Sequence, residues 1–188
     1  MMRRLVGSEM CIRDRFNANT EGCLPMKILI ADSYDNGNTW SKLRKVQLPK
    51  DTGPPSLTNP IMKLPNGKLI MSIENNKDYY DESKWYQKNI FICSSDNGKT
   101  WSSLKVIWDD GGNTCGNPSP VLDNKSGRIS LLATWNRGED KEWQIIDQKS
   151  IDTRHVYLIH SNDNGESWTN PKEITSDVKL DNWTWYAT

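Results

Sequence analysis

SYDNGNTW (Ser33–Trp40), SSDNGKTW (Ser94–Trp101) and SNDNGESW (Ser161–Trp168) are one eight-residue phrase written three times. Ser, Asp, Gly and Trp hold positions one, three, five and eight in every copy, with Thr or Ser at seven. The copies start at 33, 94 and 161, intervals of 61 and 67 residues. That spacing is too long for a solenoid and marks repeated supersecondary units. Asn-Gly between two apolar strands is a strong hairpin signal, because Gly accepts positive φ without steric cost. Asp at position three can turn its carboxylate back onto backbone N–H groups of the turn. The closing Trp covers the hairpin with a large apolar face, and its indole N–H needs one partner. Asp35, Asp96 and Asp163 are therefore expected to be structural. A calcium loop would need a bidentate Glu at its twelfth position, which these turns lack.

Working outward, MKILIADS leads into the first phrase and KVQLP leaves it. PIMKL, KLIMSIE and NIFICS precede the second, with VIWD after it; PSPVL, RISLLATWN and VYLIHS precede the third, with EITSD after it. Pro, Gly, Asn and Asp punctuate these runs, and no stretch sustains a 3.6-residue period. Four short antiparallel strands with a hairpin phrase between the third and fourth describe a propeller blade. The phrase resembles the Asp box of sialidases and related BNR-repeat proteins. The resemblance implies an all-β fold, a sialidase-type six-bladed β-propeller, with about two to three blades in residues 16–188. Propellers close through typically ~4–8 blades, so the chain is expected to be a fragment, with WTWYAT (Trp183–Thr188) as the first strand of a further blade.

Composition narrows the function classes. Lys plus Arg and Asp plus Glu are both 24, a formal net charge of zero, and no basic patch points to nucleic acid. No apolar run reaches membrane-spanning length. Cys11, Cys23, Cys93 and Cys115 show neither metal-ligand spacing nor a disulfide framework. MMRRLVGSEMCIRDR lacks strand alternation and a signal-peptide core, and Leu5 to Asp14 reads like a translated sequencing adapter. Residues 1–15 are accordingly expected to be a non-native leader outside the fold.

The second half carries a closer resemblance. Asn117-Pro118, then Trp135-Asn136-Arg137-Gly138-Glu139-Asp140, then Trp183 to Thr188 occur in the order seen in exo-α-sialidases of glycoside hydrolase family 33. This likeness, from about Trp108 to Thr188, implies release of terminal sialic acid from glycoconjugates by a retaining mechanism. It implies a Tyr nucleophile with its Glu partner, an Asp acid/base and three arginines clamping the sugar carboxylate. Tyr, its Glu and the later arginines are expected beyond Thr188. Sialylated glycans or glycoproteins are the implied partners, with no cofactor and no metal; the sequence leaves the location unknown, and the resemblance favours a secreted or periplasmic over a cytoplasmic full-length protein.

The family's first arginine lies in Arg-Ile-Pro and the next in Glu-x-Arg, with the acid/base Asp seven residues after that Glu. Pro60 and Glu74 fit these motifs, which makes Asp81 the acid/base candidate and Asp78 the fallback. Both arginines are replaced, since the chain reads Thr58-Asn59-Pro60 and Glu74-Asn75-Asn76. The stretch from Gly53 to Trp85 also resembles BNR-repeat proteins of unassigned activity, so a noncatalytic propeller binding glycans or proteins stands beside the sialidase reading. Glu139 and Glu142 occupy the region where the family contacts the substrate's polar tail; solvation at a rim is their plain alternative. Asn117 either presents its amide to a sugar hydroxyl or holds the start of a strand. Tyr79, Tyr80 and Trp85 read as a sugar platform or as loop packing. Arg154 reads as a structural strand charge. His155 and His160 show no acidic partner in sequence and read as structural.

Overall fold

The computed structural model describes residues 3–8, 16–17, 19–49, 52–57, 59–84 and 86–183. Fourteen strands run in chain order. The first group is β1 (Arg3–Ser8), β2 (Phe16–Asn17), β3 (Gly22–Cys23), β4 (Ile28–Ser33) and β5 (Arg44–Lys45). The second is β6 (Pro55–Ser56), β7 (Met62–Lys63), β8 (Leu69–Asn75), β9 (Lys88–Ser94) and β10 (Lys105–Trp108). The third is β11 (Thr114–Leu122), β12 (Ile129–Asn136), β13 (His155–Ser161) and β14 (Lys172–Glu173). Two short helices, α1 (Glu142–Ile146) and α2 (Thr175–Val178), complete the described elements. The sheets are β1-β4-β5, β10-β9-β8-β6 with β7 also on β8, and β11-β12-β13-β14; β2 and β3 form a separate small hairpin. The pairings between these strands are antiparallel, and isolated parallel bridges join Cys23 to Asp78 and Gln87 to Thr114.

Each Asn-Gly phrase joins the last two strands of its sheet, β4 to β5, β9 to β10 and β13 to β14. Asn36, Asn97 and Asn164 all have φ near 59, followed by Gly37, Gly98 and Gly165 at 92, 77 and 83. Only a turn that needs two positive φ values in a row repeats Asn-Gly so strictly. In the third copy Ser161 Oγ donates to Asp163 Oδ1 at 2.8 Å and accepts from Gly165 N–H at 2.8 Å, while Ser167 N–H donates to Asp163 Oδ1 at 2.8 Å and the Ser167 hydroxyl to Oδ2. The first copy repeats this through Ser33, Asp35, Gly37 and Thr39, and the second through Ser94, Asp96, Gly98 and Thr100. These donors, hydroxyl first, hold Asp35 and Asp163 down at about 2 and Asp96 lower still. Trp40 and Trp168 give their indole N–H to the box glycine carbonyl, Gly37 O at 3.1 Å and Gly165 O at 3.2 Å. Trp101 does not; its Nε1 is buried without a partner, and nothing in the structure explains the difference.

The middle sheet is buried on both faces, which is why KLIMSIE and NIFICS read as nearly continuous apolar runs. Met71, Ile73 and Ile92 pack on Ile28, Ile30 and Val46 of the first sheet, with Trp101 against this core. Ile70 and Phe91 point the other way, onto Ile129, Leu131 and Ile159 of the third sheet, with Trp168 edge-to-face on Phe91 at 4.9 Å between ring centres. Burying each such side chain contributes roughly 1.5–3 kcal/mol. Trp40, by contrast, is 41 % exposed.

Several sequence expectations shift. Arg3–Ser8, read as lying outside the fold, is a strand paired with β4 from Arg3↔Ser33 to Ser8↔Ile28. Main-chain pairing at a sheet edge does not require side-chain alternation, so RRLVGS gave no signal; this pairing concerns the backbone and not the origin of the segment. Residues 9–15 and 184–188, including most of WTWYAT, lie outside the described residues. The strand expected at PSPVL begins four residues earlier, at Thr114. Only Lys172 and Glu173 pair as β14, and most of the expected EITSD strand winds into α2, where Asp177 stands in the first turn. Among the described residues no helix is long and apolar enough to cross a membrane.

Candidate functional site

The strand ends opposite the boxes carry the candidate residues, because the boxes occupy Ser94 and Ser161 while β8 and β12 end there at Asn75 and Asn136. Loop 76–87 leaves β8 and carries Asp78 and Asp81. It is held by the 16–23 hairpin: Cys23 N–H donates to Lys77 O at 2.9 Å, and Thr20 Oγ1 and Asn17 Nδ2 donate to Tyr79 O at 2.8 and 3.2 Å. Gly22 permits this approach, since a Cβ there would lie 2.1 Å from the Asp78 carbonyl oxygen. Lys77 is buried, and its ammonium donates to Ser83 O; burial lowers its pKa.

Asp81 accepts from Ser83 N–H at 2.8 Å and from the Tyr86 hydroxyl at 3.4 Å. The Ser83 backbone N–H, the Ser83 hydroxyl and the Lys77 charge hold its carboxyl below the usual range. Asp78 faces solvent and accepts from Tyr80 N–H at 3.0 Å. Tyr79 and Tyr80 meet edge-to-face at 5.0 Å, with Tyr80 exposed; Trp85 lies outside the described residues.

Sequence reasoning missed Glu21, which joins Asp81 to Glu142. Glu21 is buried in the 16–23 turn at φ 55. Burial, then the Glu142 carboxylate, push its carboxyl up to about 7, against the Glu142 backbone N–H, Lys141 and Lys77. Glu142 opens α1, and Lys141 beside it donates to Asn19 O at 2.7 Å. Asp81, Lys77, Glu21 and Glu142 thus form one electrostatic chain. Nothing local in Thr20-Glu21-Gly22 marks this, because the partners lie far away in sequence.

Glu139 stands apart from Glu142. It is exposed and paired at 2.7 Å with both Lys84 and Arg137, which, Lys84 first, lower its pKa. Asp140 is buried and accepts from Ile151 and Asp152 N–H, tying down the returning loop.

Asn117 sits at a bulge: β11 passes from Gly116↔Thr134 to Ser119↔Leu132, one residue more than its partner strand. Its φ of 49 turns its backbone N–H out of the sheet onto the buried Glu74 carboxylate, and its Nδ2 donates to Thr134 Oγ1 at 3.2 Å. Glu74 also accepts from Ser56 Oγ at 3.0 Å. Burial raises its pKa, against the Asn117 and Ser56 bonds and the charge of the buried Arg154. Asn76, where the second clamp arginine is expected, is buried and bonded to Pro54 O, Ser56 and Gln87. Thr58 lies outside the described residues, while Asn59 donates to Pro118 O.

His155 has two acidic partners where the sequence reading found none. Its Nδ1 lies 2.7 Å from Glu173 Oε1 and its Nε2 3.0 Å from Asp152 Oδ1. Asp152 is three residues earlier, within reach of a local search, whereas Glu173 comes from β14, across the sheet. The site is a polar cavity of about 400 Å3 that also includes Thr153, Thr175 and Asn182. Among the described residues no group of three or more His, Cys, Asp or Glu is placed to hold a metal ion. Cys93 and Cys115 are free thiols, and burial pushes Cys115 up to about 12.

Antiparallel sheets stacked through apolar seams, each closed by an Asp box, define blades of a β-propeller. The family model of the BNR repeat-like domain matches residues 83–188. That is more than half of the chain, which belongs to this family. It is 28% identical over 145 residues to an exo-alpha-sialidase of Aspergillus fumigatus, covering 68% of this chain and 35% of the relative. A sialidase of Bacteroides fragilis is 30% identical over 103 residues, 48% of this chain and 19% of the relative. The chain spans about a third of the length of the fungal relatives. Among solved structures, a Hadza microbial sialidase superposes with a TM-score of 0.57 at 19% identity, over 87% of this chain and 36% of that one. A protein of unknown function from Dyadobacter fermentans gives 0.59 at 16%, over 92% and 46%.

Proposed function

We propose that the chain is part of an exo-α-sialidase that releases terminal sialic acid from glycoconjugates, its nucleophile supplied by a further part of the full-length protein. The observation that carries this reading is the gathering of Asp81 and Glu142 about Lys77 and Glu21, in a BNR-family chain, at the strand ends away from the boxes. Asp81 is the acid/base. Held ionised before substrate arrives, it must gain its proton when the glycoside displaces water and the Ser83 N–H bond weakens. Asn117 offers a sugar hydroxyl its amide, on a backbone fixed by Glu74, and Glu142 and Glu139 face the polar tail. Asp78 is the fallback acid.

A second reading, a noncatalytic propeller that binds glycans, is favoured by Asn76. Its amide is spent on Pro54, Ser56 and Gln87 where a carboxylate clamp would need a guanidinium.

The test is hydrolysis of a fluorogenic sialoside by the full-length gene product. Loss of the general acid lowers turnover by about 10²–10⁴-fold, so Asp81→Asn is expected to fall in that range and Asp78→Asn to stay near the parent. An inactive parent that still retains sialylated glycans on an array would replace the enzyme reading with the binding one.

A further inference from the structure

The face that β8 and β9 turn toward the third sheet changes character along its length. Near the boxes it carries Ile70 and Phe91, part of the apolar seam. Farther along, the same face carries Ser72, Glu74 and Asn89, with Ser72 opposite Phe91 and Glu74 opposite Asn89. Ser72 and Asn89 are therefore diagonal neighbours on one face, about 7–8 Å apart. Ser72 is 2% exposed and Asn89 0%. Ser72 Oγ and both polar atoms of the Asn89 amide are buried and meet no hydrogen-bonding group of the protein. Three orphaned polar atoms together in one seam carry a desolvation penalty that native interiors relieve with ordered water.

We propose that the seam between the second and third sheets is a built water site, in which ordered water bridges the Asn89 amide and the Ser72 hydroxyl and reaches the Glu74 carboxyl. The chemistry is complementary: the amide offers two donors and an acceptor, the hydroxyl one donor and two acceptor sites, and water accepts and donates to both. A gap of that diagonal length is closed by one water with a bond of ordinary length to each side. Across the seam Gly116 of β11 lies against the Gln87 and Glu74 side chains, where a Cβ would come within 2.5 Å of Gln87 Oε1. Glu74 is the link to function, because it accepts the Asn117 backbone N–H. The water is thus a positioning element for Asn117. That consequence rests on the sugar-contact role proposed for Asn117, whereas the hydration itself does not.

A high-resolution crystal structure of the chain tests the site directly, without any activity readout. The expected result is a peak about 2.7–3.2 Å from both the Asn89 amide and Ser72 Oγ. An empty seam overturns the proposal, and so does a peak with several oxygen contacts at about 2.3–2.6 Å, which would be a cation. Asn89→Leu supplies the thermodynamic arm. Losing water-mediated bonds is expected to lower Tm by about 2–4 °C, whereas relief of a dry, orphaned amide would raise it and overturn the proposal. Should that variant fail to fold, Ser72→Ala reads the same sign with a smaller change in volume.

Discussion

At the strand ends where Ser33, Ser94 and Ser161 sit, three turns repeat the same Ser–Asp–Gly bonds with nearly the same lengths. At the opposite ends, loop 76–87, the bulge at Asn117 and the segment from Arg137 to Arg154 share no pattern of partners. Each box satisfies its Asp within five residues, so the phrase can be copied without regard to context. The other end is held by bonds that span long stretches of chain, such as Thr20 to Tyr79, Asn117 to Glu74 and Lys141 to Asn19. One end repeats because its Asp bonds are local, and the other is chemically varied because its bonds are not.

Glycine substitutions should separate the two ends most sharply. At the far end, Gly22→Ala drives a Cβ to 2.1 Å from the backbone oxygen of Asp78. At the box end, Gly165→Ala meets the movable Cδ1 of Ile70 at 3.1 Å, although its φ of 83 adds strain. Gly22→Ala is expected to cost about 3 kcal/mol in urea unfolding and to expose the Cys23 amide to hydrogen exchange. A larger cost at Gly165 would break the comparison.

Glu74 sharpens it next. Glu74→Ala leaves the Asn117 N–H and Ser56 without their acceptor, a loss of about 1–3 kcal/mol. Glu74→Gln keeps an acceptor and mimics the proton that burial favours, so urea melts should place it within about 0.5 kcal/mol of the parent. Equal losses in both variants would mean that the ionised carboxylate is the stabilising form.

Acid should act on the boxes. Asp35 and Asp163 are held down at about 2, below the ordinary 3.8. A depressed carboxylate contributes stability above its unfolded pKa and loses it as pH falls through its folded value. Thermal melts are expected to fall between pH 4 and pH 2, and less steeply in Ser167→Ala, which removes one donor to Asp163.

The smallest effect belongs to His155, and it has the opposite sign. Burial alone would lower its pKa, but the bonds to Glu173 and Asp152 outweigh it and raise the value above 6.5. A raised histidine contributes fully below its unfolded pKa and loses that contribution as pH rises through the folded one. Melts from pH 6 to pH 9 should show a decline of under about 1 kcal/mol, absent in His155→Gln. A flat profile in the parent would mean that the carboxylates hold a neutral ring.

The fold was legible where the signal is local. Asn-Gly with its Ser and Asp announced every box, and the apolar runs of β4, β8, β9, β12 and β13 announced their strands. One local signal went unread: Ser41, Ser102 and Thr169 follow each box Trp and bond back to Asp32, Cys93 and His160 across the hairpin, so the phrase extends to a ninth position. The candidate site was legible in its residue types and not in its contacts. Asp81 was singled out by likeness to the family's motif, but the groups that lower its pKa, Ser83 and Lys77, are known only from the fold, and Glu21 becomes a neighbour of Glu142 only after 120 intervening residues have folded. Of the two His155 partners, Asp152 was within local reach and Glu173 arrives only across the sheet.

The two-sided burial of β8 and β9 has a consequence for how such chains evolve and unfold. A repeat can be duplicated as a unit of genetic sequence, because its box satisfies its own Asp within eight residues. It cannot be a unit of thermodynamics, because Ile70 and Met71, adjacent in the chain, belong to different cores. Copying a repeat therefore adds a wall shared by two rooms, and the array should melt as one body even though it grew piece by piece.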